Sequence, residues 1–384
     1  MTADDQDLLQ WRKEFPILEK TRYLVSHSMG AMPRGTYDRL KEYADDWATD
    51  GVDAYTKWIP RAKEVADLAG SIVNAPSGTT VFHQNVSTLT SIVISAIYKP
   101  GGRKKVILTD LNFPSLYYAW KRHEEAGLEI EVIKSPDGIV IPTEKIIDAI
   151  DEDTLCVALD HGIFRSGYLM EIDPIVKAAR EKGAFSFIDA YQTIGCVPID
   201  VQAWGVDFLV AGSHKWLLGG PGASFLHVRP DLLPQMEPRI AGWFAHKDPF
   251  AFDLNLEYAD SAMRFATGTP NVAGIQAART GLEIISKVGV DRVREKSVRL
   301  TSKLIELAQE EGLRINSPTD SSRRTGVVCI DFDGADKAEL DFVARGIQVD
   351  YRPLCGLRVS AHFYTTEEEF LSIIPEIQKF RKTL

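Results

Sequence analysis

VDFLVAGSHKWLLGGPG, residues 206–222, decides how the rest of the chain is read. Its first five residues, Val206-Asp207-Phe208-Leu209-Val210, form an apolar run with the length of a buried strand. Lys215 follows between His214 and Trp216, ahead of Gly219-Gly220-Pro221-Gly222. A strong base there occupies the place where parallel sheets keep their chemistry, beyond the carboxyl ends of the strands. The glycines fit neither GxxxxGK[ST] nor a GxGxxG that opens a helix. They read instead as a turn that lets the lysine loop approach a ligand closely.

Working outward, short apolar runs alternate with helix-period segments. The spacing predicts strands at 105–109, 128–133, 155–159, 185–188, 207–210 and 223–227, and helices at 86–98, 115–125, 143–150 and 174–182. Val-, Ile- and Leu-rich runs joined by helices indicate an α/β fold with a mainly parallel, mixed sheet covered on both faces. After about Pro270 the texture changes. Helical periodicity through 272–307 is followed by a strand (326–332), a helix (337–345), a strand pair (348–350 and 357–360) and a closing helix (367–382). The expected organisation is a large domain over 36–269 and a small C-terminal α+β domain over 270–384, with residues 1–35 packed against the small domain.

A chain of 384 residues with 45% hydrophobic and 26% charged residues has the composition of a globular enzyme. The net charge of −10 argues against a nucleic-acid or anionic-membrane partner. No apolar run approaches the roughly 20 residues of a membrane span. The start of the chain, MTADDQDLLQWRKEF, lacks the pattern of a signal peptide, and four scattered cysteines suggest no disulfide frame. A cytoplasmic location is the expectation. The histidines form no close ligand pair, so no metal is expected.

Three neighbours give Lys215 its chemistry. Asp189 ends the 185–188 strand, Arg165-Ser166-Gly167 follows the strand ending at Leu159, and Asn85-Val86-Ser87-Thr88 opens a helix whose first N–H groups suit an anion. A lysine, a buried acid and a phosphate-type helix start at one sheet edge suit pyridoxal 5′-phosphate.

The stretch IDAYQTIGCVPIDVQAWGVDFLVAGSHKWLLGGPGASFLHVRPDLL (188–233) resembles the cofactor segment of the class V aminotransferase superfamily, of fold type I. That superfamily also holds cysteine desulfurases, isopenicillin-N-epimerase-like proteins and kynureninases. The likeness runs from about Tyr23 to the C-terminal helix. GWFAH (242–246) and RFATGTP (264–270) are similar to the kynureninase branch, and GLRVSAHFYTTEEE (356–369) resembles the family's carboxylate-binding strand.

The resemblance implies the following roles. Lys215 forms the Schiff base and moves protons at Cα, while Asp189 holds the pyridine nitrogen protonated. Gln192 bonds the ring's phenolic oxygen, and Phe113 stacks on the ring. Val86 and Ser87 bind the phosphate with His214 nearby, and Trp243 and Thr269 reach a phosphate in the neighbouring subunit. Arg358 takes the α-carboxylate of an amino-acid substrate in a two-pronged pair, with Arg34 or Arg165 as its alternatives. His27 stands in the substrate pocket as a possible second acid or base, and Tyr55 and Trp58 are candidates to line that pocket. A homodimer with shared active sites follows from the same resemblance.

The chain also departs from the kynureninase pattern. His214 stands where those enzymes carry tyrosine, Gln192 where they carry histidine, and Thr269 where they carry asparagine. Cys355 lies only three residues before Arg358, too close to act as a desulfurase's mobile nucleophile. A kynureninase-like lyase or hydrolase and an aminotransferase both remain open. So do a desulfurase, an epimerase and a cofactor-binding protein without catalysis.

Overall fold

The computed structural model describes residues 3–384. Seven strands form its main sheet, in the spatial order Thr80–His83, Ser224–Val228, Phe208–Gly212, Phe185–Asp189, Thr154–Asp160, Lys105–Thr109 and Glu129–Ile133. Only Ser224–Val228 runs antiparallel to its neighbours. Period-2 alternation sends successive side chains to opposite faces of the sheet. Ile107, Leu159, Ile188 and Leu209 join one buried layer; Val106, Leu108, Phe187, Phe208 and Val210 join the other. Burying side chains of this size stabilises the fold by roughly 1.5–3 kcal/mol each. The apolar density that marked the runs as strands is therefore what seals both faces.

The predicted strands of this sheet lie within a residue or two of those found. The edge strand Thr80–His83 has no counterpart in the sequence reading, nor do the helices Thr36–Asp50 and Tyr55–Ser71. The helix Val272–Val288, where the texture changes, packs against both of those helices and sends Ile275, Ala278, Leu282 and Ile285 into one of the sheet's core layers.

A second sheet, antiparallel, has the order Asp350–Arg352, Gly356–Ser360, Val327–Asp331 and Arg314–Ile315. Two C-terminal elements differ from expectation. The strand read at 348–350 is split, because Ile347–Gln348 pairs with Arg22–Tyr23 while Asp350–Arg352 pairs with Gly356–Ser360. The closing helix is two helices, Glu367–Leu371 and Ile373–Arg381. Pro375 lacks the N–H that a continuous helix would donate to the Leu371 carbonyl, so the break falls just before it. The N-terminal segment is tied to this C-terminal layer. Arg12 pairs with Glu369 at 2.7 Å, and the Ser360 N–H donates to the Leu24 carbonyl at 2.8 Å. Among the described residues no helix is long and apolar enough to cross a membrane.

Candidate active site

Strand register assembles the site. Asp160 stands beside Asp189, Asp189 beside Val210, and Gly212 beside Ser224, all at the carboxyl ends of the parallel strands. The chain leaves Gly212 through Ser213 and His214 to Lys215. This loop is closed by Ser213 N–H to the Ala223 carbonyl (3.0 Å) and Gly219 N–H to the Ser213 carbonyl (2.8 Å). Leu218 in the same turn is buried with φ of 61°, a conformation costing about 1–3 kcal/mol outside glycine. Gly30 lies hard against the loop. Its N–H donates to the His214 carbonyl at 2.8 Å, and a Cβ there would stand 2.2 Å from the Lys215 carbonyl oxygen.

A cavity of about 410 Å³ opens over this row, the size of a small-ligand site. Lys215, Asp189, Gln192 and His214 line it from the sheet side, and Val86, Ser87 and Phe113 from the helix starts. His27 and Arg358 close it. The Lys215 ammonium lies 5.5 Å from the Phe113 ring centre and 4.7 Å from that of Tyr191. The Gln192 amide satisfies both its neighbours when it is oriented with its oxygen toward Lys215 Nζ (3.0 Å) and its nitrogen toward the His27 carbonyl (3.3 Å), the assignment that the surrounding donors and acceptors favour.

Burial dominates the titration here. It lowers Lys215 to about 8, an effect that Asp189 opposes and Arg358 adds to. It raises Asp189 to about 6, against the Tyr191 N–H on Oδ1 (2.8 Å) and the nearby Lys215 charge. An amine attacks an aldehyde only when unprotonated. The rate at which the cofactor-free protein couples to pyridoxal phosphate is therefore expected to rise tenfold per pH unit and level off above about 8. At about pH 6 it should lie roughly a hundredfold below the plateau. Stopped-flow absorbance across pH checks this, and a rate still climbing beyond about pH 10 would indicate a lysine with an ordinary pKa.

The helix Val86–Ile97 follows the edge strand, so its start faces the same cavity. Asn85 caps it, accepting the Thr88 N–H at 2.9 Å. The N–H groups of Val86 and Ser87 have no intrahelical acceptor and lie at the positive end of the helix. These donors fit a phosphate ester. The buried Asp189 carboxyl fits a pyridinium nitrogen and Lys215, in the same cavity, fits the aldehyde, so the residues present suit pyridoxal phosphate.

Three further groups were missed by the sequence reading. Asp160 accepts the Phe113 N–H at 2.6 Å and the Asn112 amide at 3.3 Å, which fixes the start of the helix carrying Phe113. Burial beside Asp189 pushes the Asp160 carboxyl well up. Its signal was available, since Asp160 ends an apolar strand just as Asp189 does. Tyr191 hydrogen-bonds His214 Nδ1 at 2.8 Å. Asp350 is the third, and it changes the setting of Arg358.

Leu357 and Val359 pack in the small core while Arg358 lines the cavity. Its two-pronged pair, however, is made with Asp350, its cross-strand partner: Nε to Oδ1 at 2.8 Å and Nη2 to Oδ2 at 2.6 Å. Nη1 donates to the Phe164 carbonyl at 2.7 Å. Three of the five guanidinium N–H groups are thus engaged, leaving one on each terminal nitrogen. Asp350 also binds His27 Nε2 (3.0 Å) and the Ser28 hydroxyl (2.7 Å). His27 Nδ1 meets Ser360 at 2.9 Å, and burial lowers its pKa to about 4. With both ring nitrogens held, His27 is a neutral structural link rather than a mobile acid or base.

Several predicted residues lie elsewhere. Trp243 packs against Phe244, Phe250 and Phe252, and Thr269 lines a second cavity of about 460 Å³. Neither lines the Lys215 cavity of its own chain. Tyr55 and Trp58, expected as possible pocket walls, stack edge to face on each other near Trp243 and Tyr43 instead, and neither lines the Lys215 cavity of its own chain. Arg34 pairs with exposed Glu19, and Arg165 lies over the Phe164 ring at 5.4 Å; neither is part of the cavity wall. Cys355 is buried in a small core cluster, and burial pushes its thiol pKa up, the opposite of an activated nucleophile.

The aminotransferase class-V family model matches residues 22–371. An uncharacterized aminotransferase, YcbU, from Bacillus subtilis (strain 168) is 31% identical over 380 residues, 96% of each chain. A kynureninase of Geobacillus thermodenitrificans (strain NG80-2) is 28% identical, covering 98% of this chain and 92% of its own. The apo structure of a cysteine desulfurase from Thermococcus onnurineus NA1 superposes with a TM-score of 0.87 over 98% of both chains at 22% identity, which shows a shared fold.

Proposed function

Since the chain belongs to the aminotransferase class-V family and its cofactor is pyridoxal 5′-phosphate, we propose that it transfers the amino group of an α-amino acid to a 2-oxo acid. The observation that carries the reading is the shortage of free bases in the cavity. His27 has both ring nitrogens occupied, Asp160 is clamped on the Phe113 amide, and the Tyr191 hydroxyl and His214 Nδ1 engage each other, with the other His214 nitrogen turned in this reading to the phosphate. Lys215 Nζ is left to move protons. One base that serves both carbons of a 1,3-proton shift is what amino transfer needs. Hydrolytic cleavage of a side chain needs a second group to activate water, and epimerisation needs a base on the opposite face.

When bound, the cofactor supplies the electron sink that lets the substrate's Cα–H bond ionise. The residues do the rest. Asp189 holds a proton on the pyridine nitrogen. The N–H groups of Val86 and Ser87 bind the phosphate. Phe113, set by Asp160, covers the ring. Arg358 offers its two remaining N–H groups to the substrate carboxylate, and Lys215 Nζ takes the proton from Cα and would deliver it to the carbon that was the cofactor's aldehyde.

The kynureninase-like alternative keeps two supports, the 28% identity along nearly the whole chain and the GWFAH and RFATGTP stretches. Absorbance scans of the holoenzyme against a panel of amino acids decide between them. Conversion of the cofactor to its amine form, reversed by a 2-oxo acid, is the expected result. Release of a side-chain fragment with the cofactor spectrum restored would replace transfer by β-cleavage, and no response to any amino acid would leave a binding protein.

Arg358→Lys is expected to weaken amino-acid binding by about 1.5–3 kcal/mol, roughly 10- to 150-fold, because an ammonium cannot bond Asp350 and a carboxylate through one planar fork. The resting cofactor spectrum should stay unchanged. Equal substrate titrations for variant and wild type would remove Arg358 as the anchor.

The protein acts in this reading as a homodimer. Phe250, Phe252, Leu254 and Leu256 form an exposed apolar stretch beside Trp243, with Leu254 100% exposed. Apolar patches of this kind mark interfaces, and a second copy seated there is what would bring Trp243 and Thr269 to a phosphate. Light scattering at assay concentration should give twice the chain mass, and an active monomer would exclude shared sites.

A further inference from the structure

Tyr191 touches both ends of the site. Its backbone N–H donates to Asp189 Oδ1 at 2.8 Å, and its hydroxyl meets His214 Nδ1 at 2.8 Å. Its ring lies flat against the end of the Phe208–Gly212 strand: a Cβ on Gly212 would stand 1.9 Å from the Tyr191 ring atoms. Only glycine leaves room for the ring there. On its other side the ring carries the Lys215 ammonium 4.7 Å from its centre. The tyrosine is thus pinned, and its hydroxyl is aimed.

The direction of the hydrogen bond follows from the strengths of the two groups. Burial raises the Tyr191 pKa far above neutrality, so the phenol keeps its proton. Its hydroxyl meets His214 Nδ1. A phenolic O–H is a stronger donor than a neutral imidazole N–H, and a bare imidazole nitrogen is a stronger acceptor than a phenolic oxygen. Nδ1 therefore accepts, and the proton of the neutral imidazole sits on Nε2. His214 lines the same cavity as Asn85, Val86 and Ser87.

We propose that Tyr191 is a positioning residue for the cofactor's phosphate: it fixes His214 as the Nε2–H tautomer, which donates to the phosphate held at the Asn85–Ser87 helix start. A series of donors then runs from Tyr191 through His214 to the anion. The inference concerns cofactor binding and holds whichever reaction the amino acid undergoes.

Nitrogen-15 spectra of histidine-labelled, cofactor-free protein test it directly, with His214→Gln identifying the resonance. Nε2 should be protonated and Nδ1 bare. Tyr191→Phe keeps the ring against Gly212 and Lys215 but lacks the hydroxyl. In that variant we expect mixed His214 tautomers and a dissociation constant for pyridoxal phosphate raised about tenfold. The dissociation constant for pyridoxal, which has no phosphate, should stay within about twofold of wild type. An Nδ1-protonated His214 in the wild type overturns the proposal, as does an unchanged affinity for pyridoxal phosphate or an equal loss for both ligands. If Tyr191→Phe does not fold, the wild-type tautomer decides the question.

Discussion

Lys215→Ala is expected to abolish covalent attachment of the cofactor and to lower turnover by about four orders of magnitude or more, some 5.5 kcal/mol of barrier. Two losses combine. The carbonyl carbon no longer has an amine to hold it, and the proton at Cα no longer has a carrier. Borohydride treatment of the wild type should leave the pyridoxyl group on the peptide containing Lys215, and the variant should give none. The fold should survive. Lys215 lines the cavity and belongs to none of the apolar core clusters, and burial already disfavours its charged form, as its lowered pKa shows. Its removal leaves Asp160 and Asp189 side by side with less compensation, and they respond by holding protons. Thermal melting of the cofactor-free variant should match the wild type within a few degrees. Label on a different lysine would remove the central assignment.

The second large effect belongs to Asp189. Asp189→Asn is expected to keep the cofactor bound while turnover falls about a thousandfold, near 4 kcal/mol. The amide oxygen can still accept the Tyr191 N–H that Oδ1 accepts now, so local structure is preserved. What is lost is the negative charge. With a pKa of about 6 in the cofactor-free protein, Asp189 is mostly ionised above neutrality. There it can stabilise a protonated ring nitrogen in a cavity where few other charges do so. An asparagine cannot, and the ring stops withdrawing electrons from Cα. Steady-state kinetics with the best substrate of the panel, beside a spectral titration of the cofactor, separate the two effects. Near-normal turnover would make the acid structural.

Arg358 and Tyr191 illustrate how far residue patterns reach. Alternation along Leu357-Arg358-Val359-Ser360 correctly separates the guanidinium from the apolar residues flanking it. It says nothing of Asp350, eight residues earlier, because the pairing depends on the register of a tight connection through Pro353 and Cys355. Tyr191 stands next to Gln192, yet its role depends on the missing Cβ of Gly212 and on His214, which lie at the end of another strand and in the loop beyond it.

The sequence by itself determined six of the main sheet's seven strands and the placing of Asp189 and the Lys215 loop at their carboxyl ends. Strands buried on both faces must be apolar throughout, so they are visible as runs, and adjacent parallel strands must bring Asp189 and the Lys215 loop to one edge. Only the tertiary structure decided which partner each polar side chain found. It paired Arg358 with Asp350, tied down both nitrogens of His27, set Asp160 beneath Phe113, and kept Trp243 and Thr269 out of their own chain's cavity. Periodicity assigns a residue to a face, because that depends on backbone geometry within a few residues. A hydrogen-bond partner depends on register and packing between segments tens to hundreds of residues apart, and no local pattern records it.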